Sequence, residues 1–309
     1  MAVFLGVALI SGLITMVGSS LLPVGSWDSH LHIIDTTRYE QTPDTGSTVI
    51  HGTVWENTLF ETSLGCSHVV IIQPTRYGNN NTATLEALAA YGPKRARAVV
   101  QFDPETITDA ELREWHALGV RGVRINLANS KNPTSNTPPE QIPGLVRKYA
   151  DKVRPLGWVI QFFISMKDIP LIEPVVPTLG LRVVIDHLGS PKLPNTTTCH
   201  GLDPYAIEGF SSLAKLLQGG STWVKISAPY RSVSNQTTSS DYAVLDPLIL
   251  ELLRINGTKT VFGTDWPHTG YETLDIHPWA HRLVNLVGGD GKLLDGLFRD
   301  NARVLWDAE

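Results

Sequence analysis

The chain has 309 residues, of which 42% are hydrophobic and 18% charged, with a formal net charge of −5. That balance excludes a disordered chain and supplies enough apolar content for a full core. With a sequence pI near 6.1 and no basic stripe, a nucleic-acid partner is excluded as well.

Residues 1–22 stand apart from residues 23–309. Ala2 to Leu22 carries no charged side chain and contains apolar runs at 3–5, 7–10 and 13–14. Val17-Gly18-Ser19-Ser20 offers small residues of the kind found at signal-peptidase sites, so a secretory signal is the first reading. Against it, no Lys or Arg precedes the run, and the length also suits a membrane anchor of roughly 20 residues. Sequons at Asn80, Asn195, Asn235 and Asn256 add the expectation of a secreted glycoprotein. Membrane contact is expected only through residues 1–22; a membrane-anchored or cytoplasmic chain is the alternative.

From Trp27 onward, strands and helices alternate. Trp27 to Asp35 reads as a strand, with Leu31, Ile33 and Ile34 as β-compatible residues. His30 and His32, two apart, point to the same side of such a strand. A helix is predicted over 54–64, then a buried strand over 68–73 ended by Pro74. A helix over 82–91 takes Thr82 as its N-cap, and a strand follows over 96–102. The helix over 106–118 carries a capping box at Thr108 and Glu111, an apolar stripe of Leu112, Trp115 and Leu118, and a closing Gly119. A strand over 120–127 leads into a long polar loop over 129–139 and a helix over 142–155. Strands are then predicted over 157–164, 181–187, 222–227 and 260–265, with helices over 204–217, 241–254, 273–287 and 293–306. Eight strands in this alternation predict a single α/β domain, a (β/α)8 TIM barrel, over 23–309. An open doubly wound sheet is the alternative, and no Gly-x-Gly-x-x-Gly follows the first strand to support a dinucleotide fold.

In such a barrel the chemistry lies at the C-terminal strand ends. Those ends present His30 and His32, Gln73 and Thr75, Arg121 and Arg124, Asp186 and His187, Arg231, and Asp265. The other histidines, His51, His68, His116, His200, His268, His277 and His281, read as surface or structural residues. Cys66 precedes the second strand and Cys199 follows the sixth, at opposite ends of the barrel, so both are expected as free thiols.

Six motifs carry a resemblance to a known family: Asp28-Ser29-His30-Leu31-His32, Gln73-Pro74-Thr75, Gly122-Val123-Arg124-Ile125-Asn126, Asp186-His187-Leu188-Gly189, Lys225-Ile226-Ser227 followed by Tyr230-Arg231, and Gly263-Thr264-Asp265-Trp266-Pro267-His268. From about Pro23 to Trp306 the chain resembles the amidohydrolase superfamily, in particular the amidohydrolase-2 branch that includes pyrone-dicarboxylate lactonases and sugar-lactone hydrolases. The resemblance implies an enzyme opening a lactone or related cyclic ester. It implies Asp265 as the base that activates water, and His30, His32 and His187 as the groups that polarise the carbonyl. Arg124 and Arg231, with Thr75 and Phe163 beside them, are expected to bind the substrate and its carboxylate.

Metal-dependent members of the superfamily add a His or a carboxylated Lys from the fourth or fifth strand. Here the fourth strand has no Lys and the fifth offers Gln161, Phe162 and Phe163. A Phe cannot ligate zinc and a neutral Gln is a poor substitute for imidazole, so no cofactor is expected. A three-ligand zinc site on His30, His32 and Asp265 is the alternative, and with it a zinc-dependent hydrolase or nonoxidative decarboxylase. A barrel that binds without catalysis is a third reading. Where the lactonase pattern places a second Arg, an Asn and a Tyr, this chain has Ser130, Gly270 and Phe163. The expected substrate is therefore less charged and more aromatic than a pyrone dicarboxylate.

Overall fold

A computed structural model describes residues 21–42, 51–128, 132–194, 201–233, 242–271 and 273–308. Residues 1–20, Ser130, Cys199 and the sequons at Asn195 and Asn235 lie outside the described residues. No helix among the described residues is long and apolar enough to cross a membrane.

Eight parallel strands follow one another in the sheet in chain order: β1 Ser26–Leu31, β2 Cys66–Ile72, β3 Ala96–Val100, β4 Val120–Asn126, β5 Val159–Phe163, β6 Val183–Ile185, β7 Thr222–Ile226 and β8 Thr260–Phe262. The ends of the sheet meet just past β1 and β8. The His32 N–H donates to the Trp266 carbonyl at 2.8 Å and the Asp265 N–H to the His30 carbonyl at 2.7 Å. The result is the (β/α)8 barrel that the alternation predicts. Its interior holds Trp27, Val70, Val99, Val184, Trp223 and Trp306 among other buried apolar side chains. The larger apolar layer lies between strands and helices.

The helices are α1 Val54–Leu64, α2 Thr82–Tyr91, α3 Asp109–Leu118, α4 Ile142–Val153, α5 Phe210–Gln218, α6 Asp246–Asn256, α7 His277–Val287, α8 Gly291–Asp295 and α9 Asn301–Leu305. Asn81, and not Thr82, takes the N-cap position of α2. The capping box of Thr108 and Glu111 is present, so α3 starts three residues later than predicted. Its stripe is narrower than expected: Leu112 is buried, but Leu118 is 45% exposed. Pro247 and Pro278 occupy the first turns of α6 and α7 and set their late starts. Short 3-10 turns replace a helix between β5 and β6, where Pro170 lies inside the first of them and interrupts the backbone ladder.

The first strand ends at Leu31; Ile34–Asp35 instead pairs antiparallel with His51–Gly52. Within β1 the pairing is irregular. Asp28 faces Val69 and Leu31 faces Ile71, so three steps on β1 match two on β2. One extra residue reverses the alternation of side chains. Trp27 belongs to the barrel interior and Leu31 to the outer layer. His30 and His32 consequently both reach the interior at the barrel mouth. Asp28 holds this bulge together. Its Oδ1 accepts from the backbone N–H groups of His30 and Thr264, both at 2.9 Å, and its Oδ2 accepts from the Thr264 hydroxyl.

Closing the barrel this tightly requires Gly263. A Cβ there would stand 2.9 Å from His30 Cβ and 3.0 Å from His30 N. Gly263→Ala is expected to cost about 1–3 kcal/mol of stability and to displace His30. A denaturant titration beside an activity assay checks both; unchanged values in the two would contradict this account.

Candidate active site

The strand ends converge on a cavity of about 260 Å³ lined by His32, Thr75, Arg124, Phe163, His187, Arg231 and Asp265, with Ile34, Pro74, Arg76 and Thr269 around them. His30 lies fully buried directly beneath. Asp265 and His187 follow β8 and β6 and adopt φ values of 64° and 55°, the left-handed region that non-glycine residues rarely enter. Such backbone strain concentrates at functional sites and persists where the surrounding structure over-determines it.

Asp265 is held asymmetrically. Its Oδ2 accepts from the Tyr230 hydroxyl at 2.5 Å and from Arg231 Nε at 2.7 Å. Its Oδ1 is buried and makes no hydrogen bond among the described residues. That oxygen stands 3.4 Å from His30 Nε2, 3.4 Å from His32 Nε2 and 3.9 Å from His187 Nε2. Burial pushes the carboxyl upward, but Arg231 foremost, then His187, His32 and His30, hold it well below the usual carboxylate range. Asp265 is therefore ionised, with one oxygen clamped and the other buried among three histidine nitrogens.

Three hydrogen bonds, read from one end, lead to one assignment of the histidine tautomers. His32 Nδ1 lies 2.8 Å from the Ile72 carbonyl, which can only accept, so Nδ1 carries the proton. If Nδ1 carries the only proton of the ring, Nε2 is bare and accepts. The 3.4 Å contact between His30 Nε2 and His32 Nε2 consequently has His30 as donor. His30 Nδ1 must then accept, and Lys225 Nζ fills it at 3.2 Å. Asp186 Oδ1 is also near, at 3.3 Å, but makes no hydrogen bond among the described residues. Burial first, and Lys225 next, push the His30 imidazole well below its ordinary range, with Asp186 opposing them. Burial likewise lowers His187 to about 4; its Nδ1 lies 2.9 Å from the Ser227 hydroxyl.

Lys225, on β7, is fully buried in the barrel. Its ammonium donates to Gln161 Oε1 at 2.8 Å and to His30 Nδ1, and stands 3.4 Å from Asp186 Oδ1. Gln161 Nε2 donates to Asp186 Oδ2 at 3.0 Å, which orients the amide with its oxygen toward Lys225. Burial lowers Lys225 to about 8, with Asp186 opposing the shift.

The predicted binding residues are brought together at the cavity wall. Arg124 donates to the Gln73 carbonyl at 3.3 Å and to Asp186 Oδ2 at 3.4 Å, and its guanidinium lies 5.2 Å from the Phe163 ring centre. Thr75 Oγ1 accepts from Asn126 Nδ2 at 2.9 Å. Two other strand-end candidates fall elsewhere. Arg121 sits at the start of β4, hence at the opposite barrel end, where it pairs with Asp307 at 3.4 Å. The Gln73 amide is spent on the Gly78 and Asn80 carbonyls and the Thr84 hydroxyl. His268 is buried against Tyr230 and Phe60. Cys66 is a buried free thiol.

Lys225, Gln161 and Tyr230 join the site with no role expected from the sequence. The strand pattern carries a signal for Lys225. Trp223, Lys225 and Ser227 lie two apart on one face of β7, and Trp223 belongs to the interior.

Among the described residues, two groups of donors lie close enough to share a metal ion: His30, His32 and Asp265, and His30, Asp186 and His187. In the first group the three mutual separations are all 3.4 Å. That spacing is roughly the edge of a tetrahedron with bonds of about 2.1 Å.

The amidohydrolase family model (Amidohydro_2) matches residues 27–308. The 2-pyrone-4,6-dicarboxylate hydrolase of Comamonas testosteroni is 28% identical over 299 residues, covering 93% of this chain and 92% of the relative. The 4-sulfomuconolactone hydrolase of Hydrogenophaga intermedia is 26% identical over 268 residues, covering 86% and 82%. Among solved structures, an amidohydrolase from Burkholderia multivorans with bound zinc superimposes with a TM-score of 0.73 at 18% identity, covering 92% of this chain and 99% of that one.

Proposed function

Because the chain belongs to the amidohydrolase family, we propose that it hydrolyses a lactone or related cyclic ester without a metal ion, with Asp265 as the base. The names of the two lactone-hydrolase relatives support the substrate class. The observation that carries the reading is Asp265 Oδ1, an ionised, buried acceptor with no hydrogen bond among the described residues, set among the Nε2 atoms of His30, His32 and His187 on a residue that lines the cavity.

In this reading a water molecule donates to Asp265 Oδ1 and attacks the lactone carbonyl as the proton transfers. His30 Nε2–H and His187 donate to the carbonyl oxygen, where negative charge develops. Collapse of the tetrahedral intermediate breaks the ring C–O bond. The departing oxygen recovers the proton from Asp265, and the product is an open-chain hydroxy acid or its keto tautomer. His32 Nε2 accepts in the resting network, so its part is to aim His30. Arg231 and Arg124 face the substrate carboxylate; Arg124 Nε is buried with no hydrogen-bond partner among the described residues.

The direction of the hydrogen bonds supports the ion-free reading. The donor spacing admits a small ion, but in the tautomer assigned above His30 Nε2 carries a proton and has no lone pair to offer. Two lone pairs, on His32 and Asp265, are fewer than the three protein donors of a catalytic zinc site. As bonded, the residues do not fit zinc. Secretion belongs with this proposal and rests on residues 1–22 and on the exposed sequon residue Asn80.

The test is proton release from a panel of lactones, aromatic and less charged ones included, on untreated and chelator-treated protein of measured metal content. Hydrolysis that survives chelation at far below one metal per chain is expected. Activity lost to chelation and restored by zinc would replace this mechanism with the zinc-dependent one.

A further inference from the structure

Beneath the reacting groups, two hydrogen-bond patterns compete for one imidazole. His30 Nδ1 has two neighbours at nearly equal range, Lys225 Nζ at 3.2 Å and Asp186 Oδ1 at 3.3 Å. Lys225 can only donate and ionised Asp186 can only accept. The choice between them sets which His30 nitrogen carries the proton. If Lys225 wins, Nε2 is an N–H and points into the site as a donor. If Asp186 wins, Nε2 is a lone pair. His30, His32 and Asp265 then aim three acceptors at one point, with mutual separations of 3.4 Å. A metal-binding histidine commonly has the second arrangement, with its far nitrogen donating to a carboxylate.

We infer that Lys225 is a positioning residue that locks the His30 tautomer and thereby keeps a divalent cation out of the site. Three features of the fold make Lys225 the winner. Asp186 has its charge matched without the imidazole, by Lys225 at 3.4 Å and by Arg124 at 3.4 Å. Lys225 Nζ is within hydrogen-bonding distance and geometry of His30 Nδ1, whereas Asp186 Oδ1 makes no hydrogen bond among the described residues. Gln161, donating to Asp186 and accepting from Lys225, anchors the ammonium between the two. The ammonium's charge acts in the same sense, since it repels a cation bound at His30. A single side chain on β7 thus separates a donor site from a ligand site built of the same residues. The inference rests on the metal-independent reading proposed above, and its readout is zinc binding and tautomer, independent of any substrate.

The experiment is zinc titration of the full chain against a chromophoric chelator, comparing wild type with Lys225→Met, which keeps the length and removes the donors. Wild type is expected to bind zinc weakly. Lys225→Met is expected to bind one zinc per chain at least about tenfold more tightly, the scale of outer-shell effects on metal sites. Adding His32→Asn should abolish that gain. A Lys225→Met protein that folds and binds no better than wild type overturns the inference and leaves the hydrolytic reading intact. Tight, stoichiometric zinc in wild type overturns both. Histidine-selective 15N NMR of the wild-type protein supplies a measurement that does not depend on the variant folding. His30 should show its proton on Nε2, and a proton on Nδ1 in the wild type overturns the inference outright.

Discussion

Asp265→Asn is expected to lower kcat by about 10³-fold while KM changes by no more than a few-fold, the signature of a general base that acts on water. The substitution keeps the size of the side chain and removes its charge. Its remaining carbonyl oxygen can still accept from Tyr230 or Arg231, which at present donate to Oδ2 at 2.5 and 2.7 Å. The cavity therefore keeps its walls, and substrate binding should persist. What disappears is the anionic Oδ1, the buried acceptor beside His30, His32 and His187. Steady-state kinetics on the substrate found in the lactone panel provides the check. An Asn variant within tenfold of wild type in kcat would remove Asp265 from the role of base and direct attention to the histidines.

Arg231→Ala should have the second largest effect, and of a different kind. Arg231 touches Asp265 through Nε, and its side chain is 30% exposed at the cavity mouth. It therefore has two duties that one substitution removes together. Loss of the guanidinium takes away a carboxylate contact, so KM should rise by about tenfold or more. It also removes the foremost attraction that holds the Asp265 carboxyl low against the upward push of burial. The sign follows directly. With Arg231 gone the Asp265 carboxyl titrates at higher pH, and only its ionised form takes a proton from water. The acid limb of the pH–rate profile should consequently move to higher pH. A rise in KM with an unmoved acid limb would mean that Arg231 serves the substrate alone. A moved limb with unchanged KM would mean that it serves Asp265 alone.

The sequence points Arg231 to the substrate only. A strand-end arginine announces carboxylate binding by its type, but its neighbours across the barrel are not written beside it. Asp265 is 34 positions away in the chain. The same limit explains Arg121, a charged residue on the right strand at the wrong end. Residue type and strand membership were legible there, but the end of the strand was off by the few residues that separate Val120 from Asn126. Helix starts show a milder form of it. The capping box at Thr108 was readable because its two partners are three residues apart.

The sequence alone determined the class of fold and the cast of the chemistry. Eight apolar strand runs in alternation with helical ones specify a barrel, because side-chain periodicity is a local property. His30, His32, His187 and Asp265 were identifiable because a barrel places strand ends in one ring. Tertiary structure decided how those residues behave. An extra residue in β1 decided that His30 and His32 face inward after Trp27 has already done so. Lys225, Gln161 and Asp186, from three different strands or their ends, decided the tautomer of a histidine on a fourth. Proton position and charge depend on which groups approach within hydrogen-bonding distance in a dry interior, where burial magnifies each contact. Those approaches are made between distant segments, and only closure of the barrel sets them.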